Sequence, residues 1–440
     1  MGAYGFLAGR TAEQANATNL GLYDQHASLQ WTQDHIGLFG GDKTRVTAMG
    51  ESAGGGSIMA QLIAFGGKQD PLFRKAIVQS PAFLPAIDRD GVLETTFKAF
   101  EREAGCAGKG LPCLSSVPTS VIAKANTNVI KAAPPGSFAF GPSSDGAFIR
   151  QPPSVEYYTG NFFQGMESLI MSHTTDEPYM FASAEITNQK QLDDYEQNFL
   201  PSDPAVQEVI QNHTRQFPDV QSALKELIQG SSFTCNVRYM TQNFAGKTWN
   251  MQYSKGRGTH GSDIAPTFFS THSTLTSLIG IINPDIKKIG PSLQSYFASY
   301  ITTGDPNAAR LDSTTPDMPK PSNPDAESLG PILNVDDKFT LVANDEDTTL
   351  NQCDFWNNVI TGATNTLGYA PPDAVGQSTI QASNPSSRFF GIGQIASNSS
   401  VAGGIVAASL KVEKISNIGN GHRVGATFLL VLLAVFASLV

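Results

Sequence analysis

Charged residues are scarce in this sequence of 440 residues, and acidic ones outnumber basic ones. Asp, Glu, Lys and Arg make up 15% of the chain, against about 25% in an average soluble protein, and the formal net charge is −10. Binding to the phosphates of a nucleic acid requires a basic surface, so the composition excludes a nucleic-acid-binding protein. We interpret the acidity as an aid to solubility rather than as attraction for a cationic substrate.

Cysteine is also rare, and its spacing excludes the common zinc sites. The chain has four cysteines: Cys106, Cys113, Cys235 and Cys353. They form no Cys-x-x-Cys pair, and an Asp-x-Asp-Gly loop for calcium is missing as well, so we expect neither metal nor cofactor. The short separation of Cys106 and Cys113 suits a local disulfide. Three sequons occur, at Asn16, Asn212 and Asn398. Together with the even number of cysteines, they favour a glycoprotein of the secretory pathway.

The N-terminus has no signal-peptide pattern, because residues 1–9 lack a basic start and a long apolar stretch. The C-terminus differs, since residues 424–440 carry no charge. That length is marginal for a membrane-spanning helix, which needs about 20 residues. It fits the tail of about 10–20 residues that is removed when a GPI anchor is attached. We therefore predict a GPI signal, with a membrane-anchor helix as the alternative.

The composition divides the chain into three parts. Residues 1–370 have the apolar content of a large folded core, and we predict a single catalytic domain there. Residues 371–423 are rich in Ser, Asn, Gly and Ala and contain few aromatics, which predicts a low-complexity linker or stalk. Residues 424–440 form the hydrophobic tail.

Predicted strands and helices alternate along the first part. Four short apolar segments predict strands: 45–49, Lys75–Gln79, Ser168–Ser172 and Thr248–Tyr253. Helical spacing is found at 24–36 (through Ala27, Trp31 and Ile36), at Leu93–Ala104, over most of 193–233 and at Leu293–Ile301, before Gly304. This alternation indicates an α/β fold with a mainly parallel sheet flanked by helices.

The segment Gly50-Glu51-Ser52-Ala53-Gly54 lies between a predicted strand and a predicted helix. This is the sequence form of a nucleophile elbow, in which a serine stands on a sharp strand-to-helix turn. Glycine is needed on both sides, because a side chain there would collide with neighbouring backbone. Ser52 would stand at a helix N-terminus, where free N–H groups favour a developing negative charge.

A serine nucleophile needs a base, and an acid to orient that base. In α/β-hydrolases the acid follows the serine in the chain and the histidine comes last. Asp176 and Glu177 both follow the strand at Ser168–Ser172, and spacing does not separate them. Order and surroundings remove five of the seven histidines: His26, His35, His173, His213 and His422. Of the remaining two, His260 follows a predicted strand and is favoured over His272, which lies in a Ser/Thr run.

These segments resemble the type-B carboxylesterase/lipase family, which includes cholinesterases and fungal lipases. The resemblance rests on motifs that occur in the family's order: Gly37-Leu-Phe-Gly-Gly-Asp42, Val46-Thr-Ala-Met-Gly-Glu-Ser52-Ala-Gly-Gly55, Phe140-Gly-Pro-Ser-Ser-Asp-Gly146, Thr175-Asp-Glu177, His260-Gly-Ser-Asp263, Thr303-Gly-Asp-Pro-Asn307 and Cys353-Asp-Phe-Trp356. It implies an α/β-hydrolase fold over about residues 2–360.

The resemblance also implies roles for individual residues. It makes Ser52 the nucleophile, Glu177 rather than Asp176 the acid, and His260 the base. Glu51 becomes a buried neighbour that acts electrostatically. The family's disulfides imply the pairs Cys106–Cys113 and Cys235–Cys353. The chain departs from the family at Pro178, where glycine is usual, and we expect this proline to remove an N–H and to shift the loop.

A larger departure lies at the front of the chain. The family's first strands, an early disulfide and a Gly-Gly loop that donates N–H groups to the oxyanion are missing before the helix at Asn19–Gln25. We therefore expect an N-terminally truncated hydrolase domain in which the Ala53 N–H remains as one oxyanion donor. Loss of one such donor costs about 10²–10³ in rate.

The sequence thus predicts a serine hydrolase that cleaves carboxylic esters of small molecules or lipids through an acyl-enzyme. The alternative is a catalytically impaired or inactive hydrolase-like surface protein that functions in binding or adhesion. The Ser, Glu and His residues favour the enzyme, whereas the missing oxyanion loop favours the alternative. Possible membrane attachment through the tail is compatible with both.

Overall fold

The computed structural model describes residues 2–134, 136–270, 285–311 and 313–366. His272, the sequon at Asn398, the predicted linker 371–423 and the predicted tail 424–440 lie outside these ranges. Within the ranges, none of the helices is both long and apolar enough to cross a membrane.

The described part of the chain contains a six-stranded sheet in which the strands follow each other in chain order. The strands are β1 Thr47–Glu51, β2 Lys75–Gln79, β3 Ser168–Thr174, β4 Thr248–Tyr253, β5 Ile332–Val335 and β6 Phe339–Val342. Strands β1 to β5 are parallel, and β6 is antiparallel to β5. Because parallel strands place their carboxyl ends at one edge, the residues after β1, β2, β3 and β4 lie close together.

Helices connect the parallel strands, as right-handed crossovers require. The α-helices are α1 Ala3–Phe6, α2 Arg10–Gln14, α3 Leu20–His35, α4 Ala53–Ile63, α5 Val92–Glu103, α6 Gly110–Leu114, α7 Thr119–Ala132, α8 Pro153–Tyr158, α9 Gln189–Phe199, α10 Pro204–Thr214, α11 Val220–Gln229, α12 Cys235–Asn243, α13 Ile264–Thr267, α14 Ile286–Thr303 and α15 Leu350–Thr366. Short 3₁₀ helices span Ile36–Phe39, Lys43–Arg45, Glu177–Met180 and Glu346–Thr348, and a π-helical turn spans Gly230–Thr234.

Separate hydrophobic clusters cover the two faces of the sheet. Ala76 and Val78 of β2 face a cluster that includes α3, α4, α8 and the helices from α10 to α12, together with α15. Ile77, between them, faces the other cluster, which contains the apolar side of α14. Strand β3 is buried along its whole length, because it lies in the middle of the sheet with a layer on each side. The expected α/β architecture is therefore confirmed.

The predicted strands agree closely with the observed ones, but the prediction for α3 was partly wrong. The helix begins at Leu20 rather than at residue 24, and the residues expected on its buried face, Ala27 and Trp31, are exposed. The face that packs onto the core instead carries Leu22 and Leu29, with Gln25 and Thr32. Polar contacts made by this face explain the difference, and they are described in the Discussion.

Two disulfides join the cysteines in the pairs that the resemblance implies. Cys106 bonds to Cys113 across 7 residues, and Cys235 bonds to Cys353 across 118 residues. A disulfide stabilises the fold mainly by restricting the unfolded chain, by about 2 kcal/mol for the short loop and about 5 kcal/mol for the long one. The long one ties α12 to α15.

Candidate active site

Ser52 occupies a strained turn between β1 and α4. Its backbone angles are φ 58° and ψ −122°, a region that non-glycine residues seldom adopt. A Cβ atom on Gly50 would come within 2.4 Å of the carbonyl carbon of Gly54, so only glycine fits there. The turn is held by the Ser52 carbonyl, which accepts hydrogen bonds from the N–H groups of Gly56 (2.9 Å) and Ala82 (3.0 Å).

Ala53 is the first residue of α4, directly after Ser52. The first N–H groups of a helix have no partner within the helix, and the helix dipole places partial positive charge there. The Ala53 N–H is one of these first N–H groups and directly follows Ser52.

Glu177 and His260 follow neighbouring strands of the same sheet edge. Pairing of β3 with β4 continues past the strand ends, because the Asp176 N–H donates to the Gly258 carbonyl at 2.7 Å and Asp176 pairs with Thr259. This extension fixes the two loops side by side. As a result, the residue after Asp176 meets the residue after Thr259.

The three side chains form one continuous chain of hydrogen bonds. His260 Nε2 lies 2.7 Å from Ser52 Oγ, and His260 Nδ1 is hydrogen bonded to Glu177 Oε2. The other oxygen of Glu177, Oε1, accepts from the Thr174 N–H at 2.6 Å. Asp176, the other acid left open by spacing, points away from this chain and pairs with Lys225 at 3.2 Å. Sequence order alone could not separate these two carboxylates.

Burial and charge have opposite effects on the pKa values of Glu177 and His260. Burial alone would raise the pKa of Glu177, but the charge and hydrogen bond of His260, with the Thr174 N–H, hold it below its usual range. Burial alone would lower the pKa of His260, but the Glu177 carboxylate outweighs it and raises that pKa above its usual value. Glu177 is therefore ionised while it orients the imidazole.

Two more carboxyl groups adjoin His260. Glu51 Oε1 lies 3.5 Å from His260 Nε2, and burial together with the nearby charge of Asp263 raises the pKa of Glu51 to about 8. Asp263 is fully buried and accepts a hydrogen bond from Gln79 Nε2 at 2.7 Å. Burial, with the charge of Glu177, raises the pKa of Asp263 to about 6. These groups make the surroundings of the imidazole favourable for a positive charge.

Pro178 is tolerated without loss of a hydrogen bond. It is the second residue of the 3₁₀ helix Glu177–Met180, where a backbone N–H would have no partner within the helix. Its carbonyl accepts from the N–H of Phe181 at 2.9 Å. Glu177 keeps its contact with His260 next to this proline.

Aromatic rings enclose His260 on the side away from solvent. Phe181 and Phe233 lie 5.1 Å and 4.8 Å from its ring, measured between centroids. These two rings line a small pocket, and next to it lies a mostly apolar cavity of about 860 Å³ between α5, α7 and the end of α9. Both spaces are lined by Leu84, Phe138, Tyr195 and Phe199. We refer to the larger space as the α5–α7–α9 cavity; nothing in the sequence pattern indicated it.

One group of potential metal ligands exists among the described residues. His173, Asp345 and Asp347 have ligand atoms within 4.8 Å of one another. Sequence order had set His173 aside because it precedes the acid in the chain. The structure places it fully buried, one residue before the end of β3. It therefore lies beside the loop Thr175–Glu177 that follows β3, which we call the acid loop. A histidine directly after the apolar run Leu169–Met171 of a predicted strand is the signal that could have indicated a buried role.

A parallel sheet that presents a strained serine at a strand-to-helix turn, with a histidine and a carboxylate on later loops of the same edge, defines the α/β-hydrolase class. The sequence model described as the carboxylesterase family matches residues 1–356, and the chain belongs to this family of carboxylic ester hydrolases. The family predicted from the sequence motifs is thus confirmed.

Individual relatives agree with this assignment. A secreted lipase of Arthroderma benhamiae is 34% identical over 376 residues, which cover 84% of this chain and 71% of the lipase. Carboxylesterase patB of Penicillium expansum is 29% identical over 320 residues, which cover 70% of this chain and 55% of that esterase. Among solved structures, EstA of Aspergillus niger matches with a TM-score of 0.69 and 26% identity, over 83% of this chain and 73% of EstA.

Proposed function

We propose that this chain hydrolyses carboxylic esters with Ser52 as the nucleophile, His260 as the general base and Glu177 as the acid that orients the base. The observation that carries the proposal is the chain of hydrogen bonds from Ser52 through His260 to Glu177, at a strained turn. An ordinary buried histidine would not require a serine in a costly backbone conformation.

The mechanism follows from which atoms face each other. Glu177 is ionised and accepts from Nδ1–H, so the lone pair of His260 Nε2 faces the Ser52 hydroxyl. When Ser52 Oγ attacks an ester carbonyl, its proton passes to Nε2 and the new imidazolium is stabilised by Glu177. The Ala53 N–H donates to the tetrahedral oxyanion. His260 then returns the proton to the leaving alcohol, and an acyl group remains on Ser52.

The second half of the reaction uses the same groups. His260, again neutral, takes a proton from a water molecule that attacks the acyl carbonyl. The oxyanion collapses, Ser52 leaves with the proton from His260, and a carboxylic acid is released. No cofactor enters any step, so the chain's own residues supply all of the acid–base chemistry.

The α5–α7–α9 cavity favours an ester with a medium or long acyl chain. Its lining is mainly apolar, and it shares four lining residues with the small pocket beside Phe181 and Phe233. One relative that matches over most of this chain is named a secreted lipase. We therefore propose lipid esters or other long-chain esters as substrates, rather than acetate esters alone.

Labelling of the serine tests the proposed chemistry. We expect a fluorophosphonate probe to attach to Ser52, identified by peptide mass spectrometry, and Ser52→Ala to remove both the label and the hydrolysis of p-nitrophenyl esters. If the folded protein neither reacts with the probe nor cleaves esters of any chain length, the proposal is wrong. The alternative, a hydrolase-like surface protein that only binds, would then be favoured.

We also propose a secretory location and the three-part organisation predicted from the sequence. Two disulfides and relatives named as secreted lipases support this location. The proposed division is a hydrolase domain up to residue 370, a linker at 371–423 and a GPI signal at 424–440. Release of the protein from cells by a phosphatidylinositol-specific phospholipase is expected, and retention after this treatment would contradict the anchor.

A further inference from the structure

The ring nitrogens of His173 both face hydrogen-bond acceptors. Nε2 lies 3.2 Å from Asp345 Oδ2, and Nδ1 lies 3.2 Å from the carbonyl oxygen of Thr174, with Asp347 Oδ2 at 3.9 Å. A neutral imidazole has a single N–H, whereas the imidazolium has two donors. Only the charged form satisfies both sides of this ring, which is 1% exposed. His173 is therefore a buried cation.

Asp345, the main partner of His173, is an ionised hydrogen-bond acceptor. Asp345 Oδ2 also accepts from the Thr348 hydroxyl at 2.7 Å, and Asp345 Oδ1 accepts from the Asp347 N–H at 3.1 Å. The segment that carries Asp345 is fixed to α12 by the buried guanidinium of Arg238, which donates to the Thr348 carbonyl at 2.7 Å. A carboxyl group with donors on both oxygens is held in its charged form.

The arrangement does not suit a metal ion. A divalent cation would need the lone pair of one ring nitrogen, with both carboxylates gathered around that nitrogen. In this cluster the two carboxylates face different nitrogens of His173. The pKa directions agree with a charged ring: burial opposes the charge on His173, but Asp345, with Asp347 and Glu177, outweighs it and raises the pKa to about 10.

One residue, Thr174, connects His173 to Glu177. His173 holds the carbonyl of Thr174, and the N–H of Thr174 donates to Glu177 Oε1 at 2.6 Å. The carbonyl belongs to the peptide that starts the acid loop, so His173 fixes the direction in which that loop leaves β3. A small rotation there would move the Glu177 carboxylate away from His260.

A second connection runs to the other side of His260. Asp347 Oδ1 accepts from Gln229 Nε2 at 2.9 Å, and Gln229 is the last residue of α11. The π-helical turn that follows carries Phe233, whose ring packs on His260 at 4.8 Å. The cluster around His173 therefore joins the acid loop to the rings of Phe181 and Phe233 beside His260, which we call the aromatic wall.

The charged groups around Glu177 show why the positive charge of His173 is needed. Three carboxyl groups lie near enough to oppose its charge: Glu51, Asp263 and Asp347. The opposing cations are His260, when protonated, and His173. In the proposed mechanism His260 is neutral before it takes a proton from Ser52 or from water, and at those stages His173 is the positive charge that keeps Glu177 ionised.

We propose that His173 is a positioning residue of the proposed esterase: its buried imidazolium fixes the acid loop and keeps Glu177 ionised while His260 is neutral. This inference rests on the proposed function. It adds a second histidine to the site, one that touches neither substrate nor Ser52.

His173→Gln tests the proposal, because glutamine keeps a donor but removes the charge. We expect kcat for a p-nitrophenyl ester to fall about tenfold to hundredfold, as for a slightly misplaced catalytic group, with little change in KM. Loss of the His173 charge makes the Glu177–His260 pair bind a proton more readily, so the acid limb of the kcat/KM profile should move to higher pH. An unchanged kcat and acid limb in the folded variant would overturn the proposal.

His213→Gln is the matched control. His213 also pairs with a carboxylate, Glu226 at 3.3 Å, and stacks on Phe355, but it has no contact with the acid loop. We expect this variant to lose stability without any shift of the acid limb. If it shifts the limb as much as His173→Gln does, the effect is a general one of stability and the proposal fails.

A measurement that needs no activity separates this inference from the proposed function. In the protein labelled with ¹⁵N-histidine, we expect both ring nitrogens of His173 to be protonated at pH 8, with the signals assigned by their loss in His173→Gln. A neutral ring at pH 8 would overturn the inference even in an active esterase. Conversely, an inactive protein with a charged His173 would count against the proposed function alone.

Discussion

Several ionisable groups share the space around Ser52, and their charges decide the pH at which the proposed base works. His260 must be neutral to accept a proton, so the rate falls as the pH drops below the pKa of His260. Glu177 raises that pKa most, and Glu51 and Asp263 raise it further. The site therefore needs a higher pH than a free imidazole would need to keep its base neutral.

Replacement of Glu51 tests this balance. Because the pKa of Glu51 is about 8, only a fraction of Glu51 is ionised in the acid limb. This fraction raises the pKa of His260 from 3.5 Å, and the neutral amide of Glu51→Gln removes it, so the pKa of His260 falls slightly. We expect the acid limb of the kcat/KM profile to move to lower pH. Asp176→Asn is the control, because Asp176 pairs with Lys225 and points away from the imidazole. If the acid limb of the kcat/KM profile lies at the same pH in Glu51→Gln, this carboxyl group does not affect the pKa of His260.

At the level of single residues, the sequence indicated the reacting groups but not those that hold them. The elbow around Ser52 and the loop of His260 have local patterns, because each depends on the backbone of a few consecutive residues. The contact of His173 with Asp345 joins positions 172 residues apart, and no local pattern marks it. Such pairs depend on how distant segments pack, which a single sequence does not report.

The turn between β1 and α4 is the element on which the candidate site depends. Gly50 ends the buried part of β1, and the first turn of α4 lies against it. Gly56, in the same helix, lies so close to the next loop that a Cβ would come within 1.9 Å of the Ala82 carbonyl oxygen. Close approach of these backbones sets the position of Ser52 relative to the sheet.

Gly50→Ala should therefore disturb both stability and activity. The new methyl group would press on the backbone of Gly54, not on a flexible side chain, so the helix must shift. We expect the free energy of unfolding to fall by about 1–3 kcal/mol and kcat to fall with it. Gly37→Ala is the control, since no atom lies within 4 Å of a Cβ there. Equal denaturation curves for the two variants would contradict the close packing of this turn.

Helix α3 shows why a periodic pattern can select the wrong face. Gln25 Nε2 donates to Ser57 Oγ at 3.1 Å, and Gln61 Nε2 donates to the Leu22 carbonyl at 2.8 Å, so polar groups line the contact with α4. Trp31 remains outside, against Phe39. Hydrophobic spacing located this helix but could not orient it, because buried amide groups with partners behave like core residues.

Across the whole molecule, strands β1 to β4 were predictable because each is a short apolar segment with a helix after it, whereas β5, β6 and the order of the strands were not predicted. The cavity between the helices was not predictable from the sequence either. The α5–α7–α9 cavity is lined by residues between Leu84 and Pro201, which come from both the β2–β3 and the β3–β4 crossovers. Its shape depends on the packing of α5 on α7 and on the end of α9, which no single segment encodes.

If the acyl chain of the substrate lies in this cavity, filling it should change the preference for chain length. Ala99 of α5 lines the cavity, so Ala99→Trp would occupy space that several methylene groups need. Each buried methylene contributes about 0.8 kcal/mol, and we expect kcat/KM for a p-nitrophenyl laurate to fall about tenfold to hundredfold. Hydrolysis of the acetate ester should change little, because its acyl group ends near Phe181 and Phe233.

The neighbouring residue on the same helix supplies the control for this change. Lys98 does not line the cavity, and its side chain is 60% exposed, so Lys98→Trp adds the same bulk on the solvent side of α5. It should leave the ratio of laurate to acetate hydrolysis as in the unchanged protein. A fall in both activities by the same factor in Ala99→Trp would indicate damage to the fold, and an unchanged ratio would mean that long acyl chains bind elsewhere. A selective loss of laurate hydrolysis would place the acyl chain between α5, α7 and α9, on the far side of the aromatic wall from Ser52.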